Sequence, residues 1–120
     1  MRPRHLLVPV LLLAAALLAG CAGGGGNGAA GAPPAAGVTN VLAKNLRFSP
    51  AAIQVPAGTE VTWSFQDGQV PHDVRGDGWG SGKPQRSGTF RHAFDQPGTY
   101  DYRCTLHPQM TGRVVVTARS

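Results

Sequence analysis

Short segments in which apolar and polar residues alternate fill much of the chain after residue 60. Three of them are residues 61–65, 90–94 and 100–104, where aromatic, valine, histidine or cysteine residues stand at every second position. A period of two residues is that of a β-strand with one buried face. The apolar run Val114-Val115-Val116 predicts a last strand near the carboxyl terminus.

Turn sequences separate these segments. Pro56-Ala57-Gly58, Asp67-Gly68 and Pro97-Gly98 each combine residues that favour turns. Because no stretch shows a convincing helical period, residues 38–120 are predicted to form one small all-β domain, a two-sheet β-sandwich. An immunoglobulin domain is the rival fold, but Trp63 has no cysteine on a preceding strand beside which it could pack.

The first 20 residues have the layout of an export signal. A basic start is followed by the apolar run Leu6 to Leu18 and then by small residues before Cys21. This run is shorter than the roughly 20 apolar residues of a transmembrane helix, and it contains Pro9. Leu18-Ala19-Gly20-Cys21 resembles a bacterial lipobox, which implies cleavage before Cys21 and lipid attachment to that residue. An ordinary signal peptide with a cysteine near its end is the alternative.

Residues 21–37 are predicted to be a lipid-bearing cysteine followed by a flexible tether. After Cys21 this segment consists of Gly, Ala and Pro with Asn27. Such a composition offers no side chains for a core, and Gly-rich linkers behave as flexible coils. The expected location is therefore outside the cytoplasm, on the outer face of a bacterial cytoplasmic membrane or on the periplasmic side of the envelope.

One short segment carries the candidate chemistry. Cys104, His107 and Met110 follow one another at intervals of three residues, and His72 lies after Pro71 earlier in the chain. Structural zinc sites use four Cys or His donors and hard cations prefer oxygen, whereas a thiolate, two imidazoles and a thioether suit copper in an electron-transfer site. With Cys21 modified, Cys104 is a single thiol without a disulfide partner, which favours a role as ligand.

The charge is moderate. Without Arg2 and Arg4 the chain keeps nine basic and six acidic residues, a net charge of +3. The basic residues are spread over several segments, which favours a solvated surface or an acidic redox partner rather than nucleic acid. We expect a monomer that docks weakly and transiently with donor and acceptor proteins, because electron carriers use small interfaces.

Residues 98–116, GTYDYRCTLHPQMTGRVVV, closely resemble the end of the amicyanins, members of the cupredoxin family. The resemblance extends back through Phe48-Ser49-Pro50, the turn at 55–58, Val61-Thr62-Trp63 and Pro71-His72. It implies a Greek-key β-sandwich, the cupredoxin fold, with one type 1 copper ion that cycles between Cu(I) and Cu(II). Plastocyanins and pseudoazurins are relatives with longer ligand loops.

The resemblance also implies residue roles. His72 is the upstream histidine ligand, Cys104 the thiolate, His107 the exposed histidine and Met110 the axial thioether. Electrons are expected to leave through a surface patch of Leu106, His107 and Pro108. His92 has no neighbour that could bind metal, and it is interpreted as structural or exposed.

Asp73 departs from the pattern of amicyanins and plastocyanins, which have an asparagine after the upstream histidine. By the resemblance, this side chain bonds to Thr105. A carboxylate can accept from the hydroxyl or the amide of Thr105, and its charge would favour oxidised copper. A solvated aspartate without such a role is the alternative.

Two other copper functions remain open, and a metal-free domain is the last alternative. A copper chaperone or storage protein could use the same fold without passing electrons. A copper enzyme with further copper centres would need more ligands, and after export only His72, His92 and His107 remain. A metal-free adhesion domain would leave the four donors unexplained.

Overall fold

The computed structural model describes residues 32–119, and every regular element in that part of the chain is a β-strand. In chain order the strands are β1 (Ala35–Ala36), β2 (Asn40–Lys44), β3 (Arg47–Ser49), β4 (Ala52–Pro56), β5 (Thr59–Phe65), β6 (Arg75–Gly76), β7 (Thr89–Phe94), β8 (Gly98–Arg103) and β9 (Thr111–Thr117). The predicted all-β fold is confirmed. Within residues 32–119 no helix is long and apolar enough to cross a membrane.

The strands form two mixed sheets that pack into a sandwich. One sheet has the order β1-β4-β9-β8-β6 and the other the order β3-β2-β5-β7. Parallel pairs join β1 to β4, β4 to β9 and β2 to β5, and the remaining pairs are antiparallel. The predicted two-sheet sandwich is therefore confirmed, and its sheets combine distant parts of the chain.

The core is built around Trp63, which has no exposed surface. Its ring centroid lies 5.3 Å from that of Tyr102, 5.5 Å from Phe90 and 6.3 Å from Phe94. Tilted and edge-to-face arrangements at these distances are favourable beyond the burial of area alone. The alternating residues of β5 point into this core, because Val61, Trp63 and Phe65 are all buried, as the two-residue period predicted.

The strand registers define two ends of the sandwich. At one end, called the site end below, β5 finishes, β8 finishes and β9 begins. The two long connections that carry the candidate ligands, residues 66–74 and 104–110, both lie there. At the opposite end, called the far end, β4 and β7 finish and β5 and β8 begin.

The start of the folded domain differs from the sequence-based boundary. Ala35 and Ala36 were placed in the tether, yet they form β1 and pair with Ile53 and Gln54 of β4. Two alanines suffice because the pairing is made by backbone N–H and C=O groups, which do not depend on the side chains. The domain thus begins at or before Ala35 rather than at Val38. The predicted signal, Cys21 and most of the tether lie outside the described residues.

Candidate metal centre

The loop after β8 is closed by its own backbone. The Cys104 N–H donates to the Met110 carbonyl at 2.9 Å, and the Met110 N–H donates to the His107 carbonyl at 2.8 Å. These bonds turn the chain tightly between β8 and β9, so that all three residues stay at the site end. Cys104 and Met110 are buried and His107 is half-buried.

His72 reaches the same place from the other long connection. Its backbone N–H and carbonyl pair with Gln85 at 2.9 and 2.7 Å, forming an isolated antiparallel bridge. The side chain has no exposed surface. A buried histidine must have partners for its ring nitrogens, and both nitrogens face polar atoms.

The candidate donors converge. The Cys104 Sγ lies 3.9 Å from Nδ1 of His72 and 3.6 Å from Nδ1 of His107. One donor atom from each of these three residues lies within 4.8 Å of the others. With the buried Met110 in the same loop, the donor set is two imidazoles, one thiol and one thioether. This set fits a type 1 copper site.

Asp67 holds the other side of the His72 ring. Its Oδ2 lies 2.7 Å from Nε2 of His72. A carboxylate only accepts, so Nε2 carries the proton and the lone pair of the neutral ring is on Nδ1, facing Cys104. The hydrogen bond from His72 holds the pKa of Asp67 below its ordinary value. The sequence pattern indicated only a turn at Asp67, and the one signal for a further role was an acidic residue shortly before a candidate ligand.

Asp73 and Thr105 form the contact that the resemblance implied. Oδ1 of Asp73 accepts from the Thr105 N–H at 2.6 Å, and Oδ2 accepts from the Thr105 hydroxyl at 2.5 Å. Asp73 is buried. The residues next to His72 and Cys104 are thus joined directly, which ties the two ligand-bearing connections together.

The predicted exit patch is at the surface. Leu106 is 46% exposed, Pro108 is exposed, and half-buried His107 lies between them in sequence. His92 is elsewhere: its ring stacks on Trp79 with centroids 4.8 Å apart and an interplanar angle of 18°. Of the two roles that the sequence left open for His92, structural or exposed, this stacking favours the structural one.

The comparisons with known proteins agree with this geometry. The family model of the cupredoxin-like domain matches residues 10–116. The chain belongs to the cupredoxin family. It is 40% identical to amicyanin-alpha of Methylorubrum extorquens over 88 residues, which cover 68% of this chain and 73% of that protein. Amicyanin of Paracoccus denitrificans is 32% identical over 89 residues, covering 68% and 67% of the two chains.

Solved cupredoxin structures have the same fold. A purple cupredoxin from Nitrosopumilus maritimus superimposes with a TM-score of 0.61 and 28% identity, covering 67% of this chain and all of that one. A reduced amicyanin variant gives a TM-score of 0.60 and 29% identity, covering 74% and 89%. The cofactor of this cupredoxin is copper, and its function is electron transfer of the cupredoxin type.

Proposed function

We propose that this cupredoxin is an exported, lipid-anchored carrier of single electrons between redox proteins. The convergence of Cys104, His72 and His107 at a buried site carries the proposal. Copper bound there supplies a one-electron couple between Cu(I) and Cu(II). His72, Cys104 and His107 would be the main ligands of the copper, and the thioether of the buried Met110 would be a further donor.

The surrounding residues keep these ligands in place. Asp67 fixes the ring of His72, and Asp73 joins the His72 segment to Thr105, beside Cys104. Ligands held at two distant points of a rigid sandwich need little rearrangement when the charge on the metal changes, which favours fast electron transfer. The half-buried His107, with Leu106 and Pro108, is the proposed exit for electrons.

The first residues support the proposed location of the protein. A basic start, an apolar run and a lipobox-like sequence before Cys21 support export and lipidation. Stable anchoring requires more than one acyl chain, which lipoprotein modification of a cysteine supplies. We therefore place the domain on a tether beside a bacterial membrane, outside the cytoplasm. There it exchanges electrons as a monomer through weak, transient contacts.

The first test is titration of the purified protein with one equivalent of Cu(II), followed by visible absorption and EPR. An intense thiolate-to-copper band with narrow hyperfine splitting, bleached reversibly by ascorbate, is expected. Cys104→Ala is expected to lose the band, and His92→Ala is the matched control that should keep it. A pale, readily chelated copper would refute the electron carrier and favour copper storage or delivery.

The anchor is tested separately. The protein is expressed in a bacterium with labelled palmitate and the cells are fractionated. We expect label and protein together in the membrane fraction, and we expect a Cys21→Ser variant to lose both. Unlabelled protein in the soluble fraction would refute the anchor and leave the copper site unaffected.

A further inference from the structure

We propose that the site end is a docking face for a redox protein with an acidic patch, guided by two basic cross-strand pairs. This inference rests on the proposed function and adds the chemistry of the partner. The pairs are Arg75 with Arg103 and Lys44 with Arg47.

The first pair lies beside the copper ligand Cys104. Arg75 of β6 is directly opposite Arg103 of β8. Tyr102 and Cys104, on either side of Arg103, are buried, whereas both arginines are exposed. Because neighbouring side chains of a strand point to opposite faces, these arginines project outward from their sheet.

The second pair lies on the other sheet at the same end. Lys44 closes β2 and is directly opposite Arg47, which opens β3. Strand β2 runs parallel to β5 with Ala43 beside Phe65, so Lys44 lies where β5 finishes. Ala43 and Phe48 are buried while Lys44 and Arg47 are exposed, so this pair also projects outward. The two pairs therefore flank the site end on both faces of the sandwich.

Neither pair has an ion-pair partner in the part of the chain that the structure describes. Among residues 32–119 the ion pairs join Asp67 to His72 and Asp101 to Arg113, and the four cations take part in neither. Like charges directly opposite each other destabilise a sheet. Two such pairs at one end are therefore costly for the fold alone, and an acidic partner would relieve them.

Charge is distributed unevenly between the ends. Glu60 and Asp95 are exposed at the far end, where β5 begins and β7 finishes, and the exposed cation Arg119 lies there beside the Ala57 carbonyl. The site end also holds two carboxylates, Asp67 and Asp73, which accept hydrogen bonds from His72 and Thr105. These bonds do not cancel the two negative charges, but the four cations of the basic pairs outnumber them. A protein with a basic site end and acidic groups at the far end presents its copper first to an approaching acidic surface.

Exposed apolar side chains complete the face. The large apolar residues that are most exposed within the described part of the chain are Leu46, at 52%, and Leu106, at 46%. Leu46 lies between Lys44 and Arg47 and has a φ of 57°. That left-handed conformation is unfavourable for leucine, and the Leu46 N–H donates to Asp67 at 3.2 Å. An apolar centre with a charged rim is the usual anatomy of a protein interface.

The test uses the reduced, copper-loaded full-length protein and three small oxidants. Stopped-flow rates are measured with anionic hexacyanoferrate(III), cationic tris(phenanthroline)cobalt(III) and the net-neutral ferroceniumcarboxylate at several salt concentrations. The variants are Arg75→Glu with Arg103→Glu, and Lys44→Glu with Arg47→Glu. Arg91→Glu with Arg119→Glu is the control, because it changes the net charge equally away from the site end.

Both test variants are expected to slow the reaction with hexacyanoferrate(III) by about 10-fold or more at low salt, and added salt should reduce the difference. The control should change this rate much less, and the neutral oxidant should not distinguish the variants. Equal slowing in all three variants, or none, would overturn the docking face. Failure to react even with the neutral oxidant would overturn the proposed electron transfer itself.

Discussion

The carboxylate of Asp67 accepts a hydrogen bond from Nε2 of His72 at 2.7 Å, on the side of the ring that faces away from Cys104. The same oxygen accepts from the Leu46 N–H at 3.2 Å. The contact thus connects the ligand ring to the β2–β3 turn. Partners of this kind fix the orientation and the tautomer of a metal-binding imidazole.

Asp67→Ala is expected to lower the affinity for copper by about 10–100-fold, the usual cost of removing such a partner. Asp67→Asn keeps an acceptor oxygen and should lose less. Competition with a chelator measures the affinity, and Asp95→Ala at the far end is the matched control. Nitrogen NMR of the metal-free protein should show the Nε2-protonated tautomer of His72 in the wild type and a mixture in the alanine variant. Unchanged affinity and tautomer would contradict the role of Asp67.

Replacing Asp73 tests the effect of its charge. Asp73→Asn can still accept from the Thr105 N–H, so the geometry is largely kept while a negative charge near the copper is removed. The negative charge stabilises Cu(II) more than Cu(I). Its removal should therefore raise the reduction potential by tens of millivolts. About 59 mV corresponds to a tenfold change in the relative affinity for the two oxidation states.

Voltammetry of the wild type and the variant measures this difference, and Asp77→Asn serves as a control with the same change in charge. A potential that is unchanged or lower in the Asp73→Asn protein would show that the charge does not favour oxidised copper.

Local patterns were enough to predict the fold class. The strands of a sandwich bury one face, so the two-residue period of β5 is visible in Val61, Trp63 and Phe65 alone. The pairing of strands was not predictable in the same way. Which strands lie side by side depends on contacts between distant residues, and the two-residue strands β1 and β6 are too short to show a period.

The part of the site that lies on one continuous segment of the chain was predictable. Cys104, His107 and Met110 lie on one loop, and donor chemistry identified their metal. The role of Asp67 was not predicted because it depends on the conformation of the connection 66–74, which lacks the alternating pattern of a strand. Arg75 and Arg103 were recognised as basic residues, but only the β6–β8 register shows that they are neighbours.

The pair of Asp101 and Arg113 should contribute to stability above a defined pH. Nε of Arg113 donates to one oxygen of Asp101 at 2.6 Å and the Nη2 group donates to the other at 3.2 Å. This bond lowers the pKa of Asp101 from its ordinary value of 3.8. The folded state therefore binds the proton less tightly than the unfolded state. The contribution is present above pH 3.8 and is lost as the pH falls through the lower folded-state value.

Urea unfolding of the wild type and Asp101→Asn at a series of pH values checks this. Since the pair is largely exposed, we expect the variant to be less stable by about 0.2–1 kcal/mol at neutral pH, with the difference vanishing in strong acid. Both proteins lose copper alike in acid, so the difference isolates the pair. A difference that is constant with pH would contradict the assignment.

Gly112 is the residue on which the packing of Tyr102 depends. The two lie directly opposite each other on β9 and β8, and a β-carbon at position 112 would overlap the tyrosine ring. Gly112→Ala forces that buried ring to move, and overpacking of this kind costs about 1–3 kcal/mol. Because Tyr102 also packs edge-on against Trp63, the displacement reaches the centre of the core.

Chemical denaturation measures the loss of stability in Gly112→Ala, with Thr111→Ala, an exposed change on the same strand, as the control. In a Tyr102→Ala background the cost of Gly112→Ala should largely disappear, and an equal cost in both backgrounds would show that the ring is not its cause.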